Sequence, residues 1–365
     1  MRPDTSSPLL LAEGLVREFE LPGGALFSRK KILRAVSEVS FSIGRREVLG
    51  LVGESGSGKT TIGRLVMRLL PPTRGRILFD GIDLTALSGG ALRSHRRRFQ
   101  MVFQDPYASL NPRMRVREIV EEPLAVHGIE PGKGARRERV AHLLERVGLS
   151  ARDMERLPRE FSGGGRQRIG IARSIACGPE LLVADEPIAS LDLSMGAQII
   201  NLFSSLVETE GMSLLFISHD IPVVRYLSDR VAVLYRGSVV ESGPTEKVFS
   251  SPRHPYTRLL TEGSLSAEPA APSGELRSPD SSASSVSAGS VSAGSVSAGE
   301  IGLCAFLPRC GEARPECRIL PPPLYSDGEG GREALCHLLQ GEIAWLPLHP
   351  SNQGSPSDVP IASSR

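Results

Sequence analysis

The apolar positions of this chain change character twice along its length. Up to about residue 260 they are dense and periodic, separated by short turn signals. From Ser264 to Glu300 large apolar side chains become sparse, and SVSAG recurs in tandem at Ser285, Ser290 and Ser295. A stretch so poor in apolar surface cannot offset the entropy of ordering it, which predicts a flexible linker over 264–300. Leu, Phe, Trp and Cys return between Ile301 and Pro350, and the Ser- and Pro-rich residues 351–365 read as a disordered tail. The pattern thus predicts a main domain over 1–263 and a small extension over 301–350.

Inside the main domain, Val48–Val52 and Leu181–Ala184 are short continuous apolar runs closed by Gly or acidic residues, and Leu214–Ile217 and Val231–Tyr235 look the same. Runs of this kind predict strands covered on both faces. Between the first two, 113–177 is mostly helical by pattern. The candidates are Val116–Glu122, stopped or kinked by Pro123, then Arg136–Val147 and Gly164–Ala176. The implied architecture is an α/β core interrupted by a helical subdomain.

Composition narrows the classes. The 40% of apolar residues are ample for a core, and 43 basic against 41 acidic residues leave a net charge of only +2. With 5% aromatics as well, neither a global field nor stacking surface favours nucleic acid. The RSHRRR run at Arg93–Arg98 is read as a solvated or membrane-facing basic surface. No apolar stretch approaches the ~20 residues a membrane-spanning helix needs, and the start is too short for a signal peptide, so the chain is expected in the cytosol.

Gly53, Glu54, Ser55, Gly56, Ser57, Gly58, Lys59 and Thr60 fit GxxxxGK[ST] between an apolar strand and a helix-compatible run opening at Thr61. Glycines let backbone N–H groups and the helix start face a β-phosphate, Lys59 neutralises phosphate oxygens, and Thr60 offers a hydroxyl to Mg²⁺. Asp185 and Glu186 close the apolar run 181–184; Asp185 would hold Mg²⁺ and Glu186 polarise the attacking water. Gln104, just past an apolar strand, can reach Mg²⁺ or the attacking water and sense the γ-phosphate, His219 at the end of another can hydrogen-bond the γ-phosphate, and Asp192 in ASLD is expected where two subunits meet. Taken singly, each of these three also reads as an ordinary structural residue. FSGGGRQ, at Phe161–Gln167, precedes the acidic strand and points to an ATPase that works in pairs.

These motifs, in this order over roughly residues 8–262, resemble the ATPase subunits of ATP-binding cassette (ABC) transporters. QMVFQDPYASLNPRM, SHDIPVVRYLSDRVAVLY and SPRHPYTRLL are similar to the oligopeptide/dipeptide importer branch, in particular the second of its two ATPase types. The resemblance implies a P-loop NTPase fold of the ABC type, and head-to-tail dimers that sandwich two ATP molecules. Each nucleotide would meet one subunit's phosphate loop and the other's Ser162, Gly163 and Gly164, with Phe19 in the position that stacks on adenine. It further implies a second cassette, the same or a different chain, two membrane permeases, an extracytoplasmic solute-binding protein acting indirectly, and a peripheral place on the cytoplasmic face of the membrane. Gly165 departs from the pattern, which has Gln there, and this predicts weakened or asymmetric turnover. A soluble ABC ATPase acting on DNA or ribosomes, and a cassette that binds ATP without turning it over, are the alternative classes.

Cys304, Cys310, Cys317 and Cys336 crowd into the extension, spaced C-x5-C-x6-C-x18-C. A reducing cytosol argues against disulfides, and so small a segment buries little core unaided. Four thiolates suit a [4Fe–4S] cluster or tetrahedral Zn²⁺, and unliganded thiols are the third reading. The resemblance favours the cluster. Cys177 reads as a small buried hydrophobe.

Overall fold

The computed structural model describes residues 7–21, 31–265, 303–327, 331–339 and 345–346. The expected tail 351–365 lies outside the described residues, as does the expected linker from residue 266 onward. Among the described residues thirteen strands run in chain order: β1 (Leu10–Leu21), β2 (Lys31–Ile43), β3 (Val48–Val52), β4 (Arg74–Phe79), β5 (Ile82–Asp83), β6 (Phe99–Val102) and β7 (Leu181–Asp185). They continue with β8 (Ser213–Ile217), β9 (Arg230–Tyr235), β10 (Ser238–Pro244), β11 (Leu324–Ser326), β12 (Glu333–Leu335) and β13 (Trp345–Leu346).

Two sheets result. A four-stranded antiparallel sheet has the order β2-β1-β4-β5, and a nine-stranded sheet has the order β13-β11-β12-β10-β9-β3-β8-β7-β6. In the larger sheet β9, β3, β8, β7 and β6 run parallel, whereas β10, β12, β11 and β13 add on antiparallel. The parallel strands read as continuous apolar runs because successive side chains serve different cores. Leu49, Leu51, Val183, Leu215 and Ile217 enter the core beneath the antiparallel sheet. Val48, Val52, Leu182, Ala184 and Phe216 enter the core on the opposite face, under the helices.

The helices Val116–Val126, Lys133–Arg146 and Gly163–Ile175 form between β6 and β7. The first does not stop at Pro123: it continues to Val126. Proline removes only its own N–H bond, and fully buried Leu124 holds the next turn against the core. The Pro123 carbonyl accepts from His127 N at 3.1 Å and from the Cys177 thiol at 3.7 Å. Cys177 is therefore only partly buried and works as a donor, not simply as a hydrophobe.

The basic run is also more structural than its sequence implies. Arg98 donates to Asp80 at 2.6 Å and to Glu180, and its guanidinium lies 4.9 Å from the centre of the Phe79 ring. Arg96 donates to the Arg68 carbonyl at 3.2 Å. Hydrogen bonding to Glu180, and then to Asp80, raises the Arg98 guanidinium above its ordinary range, and the same bonds tie together the residues that border β4, β6 and β7.

Candidate nucleotide site

Parallel strands all end at one edge of a sheet, so the loops that follow them open toward one another. Val102 is in register with Ala184, Asp185 with Ile217, and Leu51 with the same Ile217. Gln104, Glu186, His219 and Gly53 therefore emerge within two residues of matched positions. This edge is where the candidate chemistry collects.

The phosphate loop leaves β3 and becomes the helix Lys59–Val66, whose first N–H groups have no side-chain cap. Gly58 precedes it at φ 107°, and a Cβ there would stand 2.5 Å from the Ala35 carbonyl oxygen of β2. Only glycine fits that turn. Glu54, Ser55 and Gly56 are exposed at the crest, and Thr61 is partly buried in the helix's first turn. Ser57 Oγ is buried with no hydrogen-bond partner among the described residues, a polar atom left over inside a loop of donors. An anion cradled by the loop would satisfy it.

Lys59 Nζ donates to the carbonyls of Gly53 at 2.7 Å and Glu54 at 3.0 Å, and lies 3.8 Å from Glu186 Oε1. Thr60 Oγ1 donates to Asp185 Oδ1 at 3.0 Å, joining the two residues expected to share Mg²⁺. Gln104 Nε2 donates to Glu186 Oε2 at 3.3 Å, and His219 Nδ1 stands 3.5 Å from Glu186 Oε1. Glu186 itself is held at φ 43°, a left-handed conformation uncommon for a side-chain-bearing residue, while its N–H donates to the Ile217 carbonyl at 2.9 Å. Three groups of different loops thus converge on one carboxylate.

Burial sets the electrostatics. It pushes the Lys59 ammonium below the usual lysine range, opposed by Glu186 and Asp185. It pushes the Asp185 carboxyl up, against the Thr60 hydrogen bond and with the help of neighbouring Glu186. Two carboxylates share one buried lysine, so the site favours added positive charge, as a divalent cation on Thr60 and Asp185 would supply.

The remaining candidates stand elsewhere. Ser162 caps the helix Gly163–Ile175 by accepting from Gly165 N at 3.2 Å, and Asp192 caps the helix Leu193–Glu210 by accepting from Met195 N at 2.9 Å. The two caps are neighbours: a Cβ on Gly164 would collide with the Met195 side chain, and one on Gly163 would touch Leu191. No hydrogen bond or ion pair links Ser162, Gly163 or Gly164 to residues 53–60 among the described residues. Phe19 pairs with Leu33 on β2, two residues from the Ala35 carbonyl that borders Gly58, and carries Arg17 over its ring at 4.7 Å.

Two residues outside the expected set also reach the phosphate loop. The Tyr256 hydroxyl accepts from Glu54 N at 3.0 Å, and Arg309 donates to both Glu54 carboxylate oxygens at 3.0 and 2.9 Å. No spacing rule ties a loop to a partner 255 positions away, so the sequence carries no local signal for the second contact.

The four clustered thiols line one enclosed pocket with His254, Phe306 and His337. All five cysteines are free. Burial pushes the Cys336 thiol up to about 11 and raises Cys304 as well. His254 Nε2 and His337 Nδ1 are buried there without partners among the described residues.

A phosphate-loop motif, an acidic strand end and two further loops at the edge of the sheet's parallel strands define a nucleotide-binding cassette of the P-loop ATPase class. Sequence comparison narrows this. The family described as "ABC transporter" matches residues 36–189, and the family described as "Oligopeptide/dipeptide transporter, C-terminal region" matches 240–317. A peptide import ATP-binding protein of Brucella abortus (strain 2308) is 48% identical over 340 residues, covering 92% of this chain and 95% of the relative. One of Brucella suis biovar 1 is 44% identical over 320 residues, covering 88% and 95%. Among solved structures, the ATP-binding cassette MJ0796 in a dimeric post-hydrolysis state with ADP and Pi is 30% identical at TM-score 0.58, covering 65% of this chain and 98% of that one. The protein cbiO1 of Clostridium perfringens, part of the ABC transporter complex cbiONQ, is 26% identical at TM-score 0.58, covering 67% and 92%. The chain belongs to the ABC transporter ATPases, in the oligopeptide/dipeptide importer branch, and is an ATP-hydrolysing enzyme.

Proposed function

We propose that this chain hydrolyses ATP to energise import of peptides, or a related small solute, through two partner permeases, from the cytoplasmic face of the membrane. Among the described residues no helix is long and apolar enough to cross a membrane, so contact with the bilayer would come through those permeases. Glu186 acts as the base that polarises water, oriented by Gln104 and His219. Lys59 and the loop N–H groups bind the β- and γ-phosphates, and Phe19 stacks on adenine. Thr60 and Asp185, with Gln104, would hold Mg²⁺, which supplies positive charge against the phosphate oxygens. Ser162, Gly163, Gly164 and Asp192 serve the nucleotide held by the other cassette, which we take to be a different chain, with a solute-binding protein delivering cargo outside.

The observation that carries this reading is the convergence of Lys59, Gln104 and His219 on Glu186 within 3.3 to 3.8 Å. In the assembled transporter, Glu186→Gln should lower ATP turnover and peptide uptake by roughly 10²- to 10⁴-fold while leaving MgATP bound. Turnover equal to wild type would remove Glu186 from the role of base.

For the extension we favour a [4Fe–4S] centre on Cys304, Cys310, Cys317 and Cys336 over Zn²⁺. Four thiols facing one pocket beside two unpartnered ring nitrogens support it in donor kind and number. As arranged, no three His, Cys, Asp or Glu side chains among the described residues are grouped to hold a metal ion, so ligation would require the pocket walls to draw together. Anaerobically purified chain should be brown and contain iron; a colourless, zinc-containing or metal-free protein would reverse the preference.

A further inference from the structure

Glu54 sits in the phosphate loop and brings a negative charge to a place built for a polyanion. Both of its ends are held from outside the loop. Its N–H donates to the Tyr256 hydroxyl at 3.0 Å, and its carboxylate receives Arg309 at 2.9 and 3.0 Å. Its carbonyl, in turn, accepts from Lys59 Nζ at 3.0 Å. Whatever fixes Glu54 therefore also fixes the lysine that meets the phosphates.

The two holding residues are anchored firmly. Arg309 lies between Phe306 and Cys310, and the Phe306 ring packs 5.3 Å from Tyr235 and 5.5 Å from Tyr256, with the two tyrosines 4.5 Å apart. Tyr235 ends β9, the strand beside β3, so the aromatic trio stands against the base of the loop. Further along, Arg332 donates to Glu241 Oε1 at 2.6 and 3.2 Å, with 5% and 0% of their side chains exposed. Glu241 also accepts from the N–H groups of Arg253 and His254, and His254 Nδ1 accepts from Tyr256 N at 3.1 Å. One buried carboxylate thus fixes both the C-terminal segment and the turn that aims Tyr256.

We propose that Arg309 and Tyr256 are positioning residues for the phosphate loop, acting through Glu54, so that the C-terminal segment is a working part of this chain's own nucleotide site. Arg309 neutralises the Glu54 carboxylate, which would otherwise repel the triphosphate, and Tyr256 holds the loop backbone from which Lys59 is aimed. The proposal rests on the phosphate-loop reading above.

The test is MgATP binding to the full-length chain by titration calorimetry, with KM and kcat from the assembled ATPase. Removing a half-exposed ion pair or one hydrogen bond costs about a factor of five, so Arg309→Ala and Tyr256→Phe should each raise Kd and KM by roughly three- to fivefold. The change in kcat should stay within about twofold, since neither residue touches the water or its base. Arg309→Lys should recover most of the loss. In a Glu54→Ala background Arg309→Ala should add nothing, because the charge it neutralises is gone. An unchanged Kd with only a lowered melting temperature, or the same loss in both backgrounds, would overturn the proposal. Lys59→Ala serves as the reference: if it too leaves binding intact, the phosphate-loop reading itself fails.

Discussion

The nucleotide site and the thiol pocket gather comparable numbers of reactive groups, but they are assembled by opposite means. At the first, strand ends in parallel register deliver Gly53, Gln104, Glu186 and His219 to one edge, and each residue's place follows from a short motif. At the second, thiols from 304 to 336 meet His254 through contacts that no local pattern announces, fixed by an ion pair spanning 91 positions. The first site is specified by secondary structure, the second by tertiary burial. Loss of a distant contact weakens a site of the first kind by a few-fold; a site of the second kind depends on such contacts to exist.

Glu241→Ala should separate the two most sharply. It leaves the Arg332 guanidinium buried and unpaired, a loss of about 3–5 kcal/mol in comparable cases. Residues 303–339 should then become protease-sensitive at temperatures where the cassette stays folded, and MgATP affinity should fall by what the Arg309 and Tyr256 contacts supply together, about ten- to twenty-five-fold. Cleavage at the wild-type rate would mean that the segment is held by something other than this pair.

Acid should act on the same side of the comparison. Burial, reinforced by nearby Arg258, lowers His254 from 6.5 to about 4, so the folded state favours the neutral ring. The stability this contributes is complete above pH 6.5 and is lost as pH falls toward 4. Up to ~3 kcal/mol is at stake. Its surroundings hold Glu241, Glu312, His337 and the four thiols as well as Arg258. Denaturant unfolding at pH 7 and pH 4.5 should show the fall, and His254→Phe should flatten it; an equal slope in the variant would assign the acid sensitivity elsewhere.

The smallest effect belongs to Gly165, where the nucleotide side departs from its family. A Cβ there would sit 3.1 Å from the Phe161 Cβ and Cδ1, so Gly165→Gln needs Phe161 to shift by a few tenths of an ångström while relieving a glycine in the first helical turn. With Glu186→Gln silencing this chain's own site, the variant should raise residual turnover of the assembled pair by about two- to fivefold, on the scale of one modest contact. Unchanged or lower turnover would show that the glycine is not what slows the composite site.

How much of this could be read from the sequence follows from the same contrast. β3, β7, β8 and β9 were legible because burial on both faces leaves unbroken apolar runs, and the phosphate loop because its chemistry dictates spacing. The antiparallel sheet of β1, β2, β4 and β5 was not, since its strands mix charged and apolar positions and carry register shifts. Pro123 misled because proline is judged locally, whereas Leu124 holds the turn through the core. Arg98 passed for surface charge until Asp80 and Glu180 were found beside it. The Glu54–Arg309 contact lay beyond any windowed reading.

The pairing of Glu241 and Ser242 on β10 with Ala334 and Glu333 on β12 also bears on solubility. A terminal strand of a sheet offers unpaired N–H and C=O groups to any other extended chain. Without the C-terminal segment that strand would be β10, seven residues long. With it, the sheet runs on through β12 and β11 to β13, where two residues are paired among the described residues. The segment that reaches the phosphate loop thereby also covers part of the β10 edge of the larger sheet against self-association.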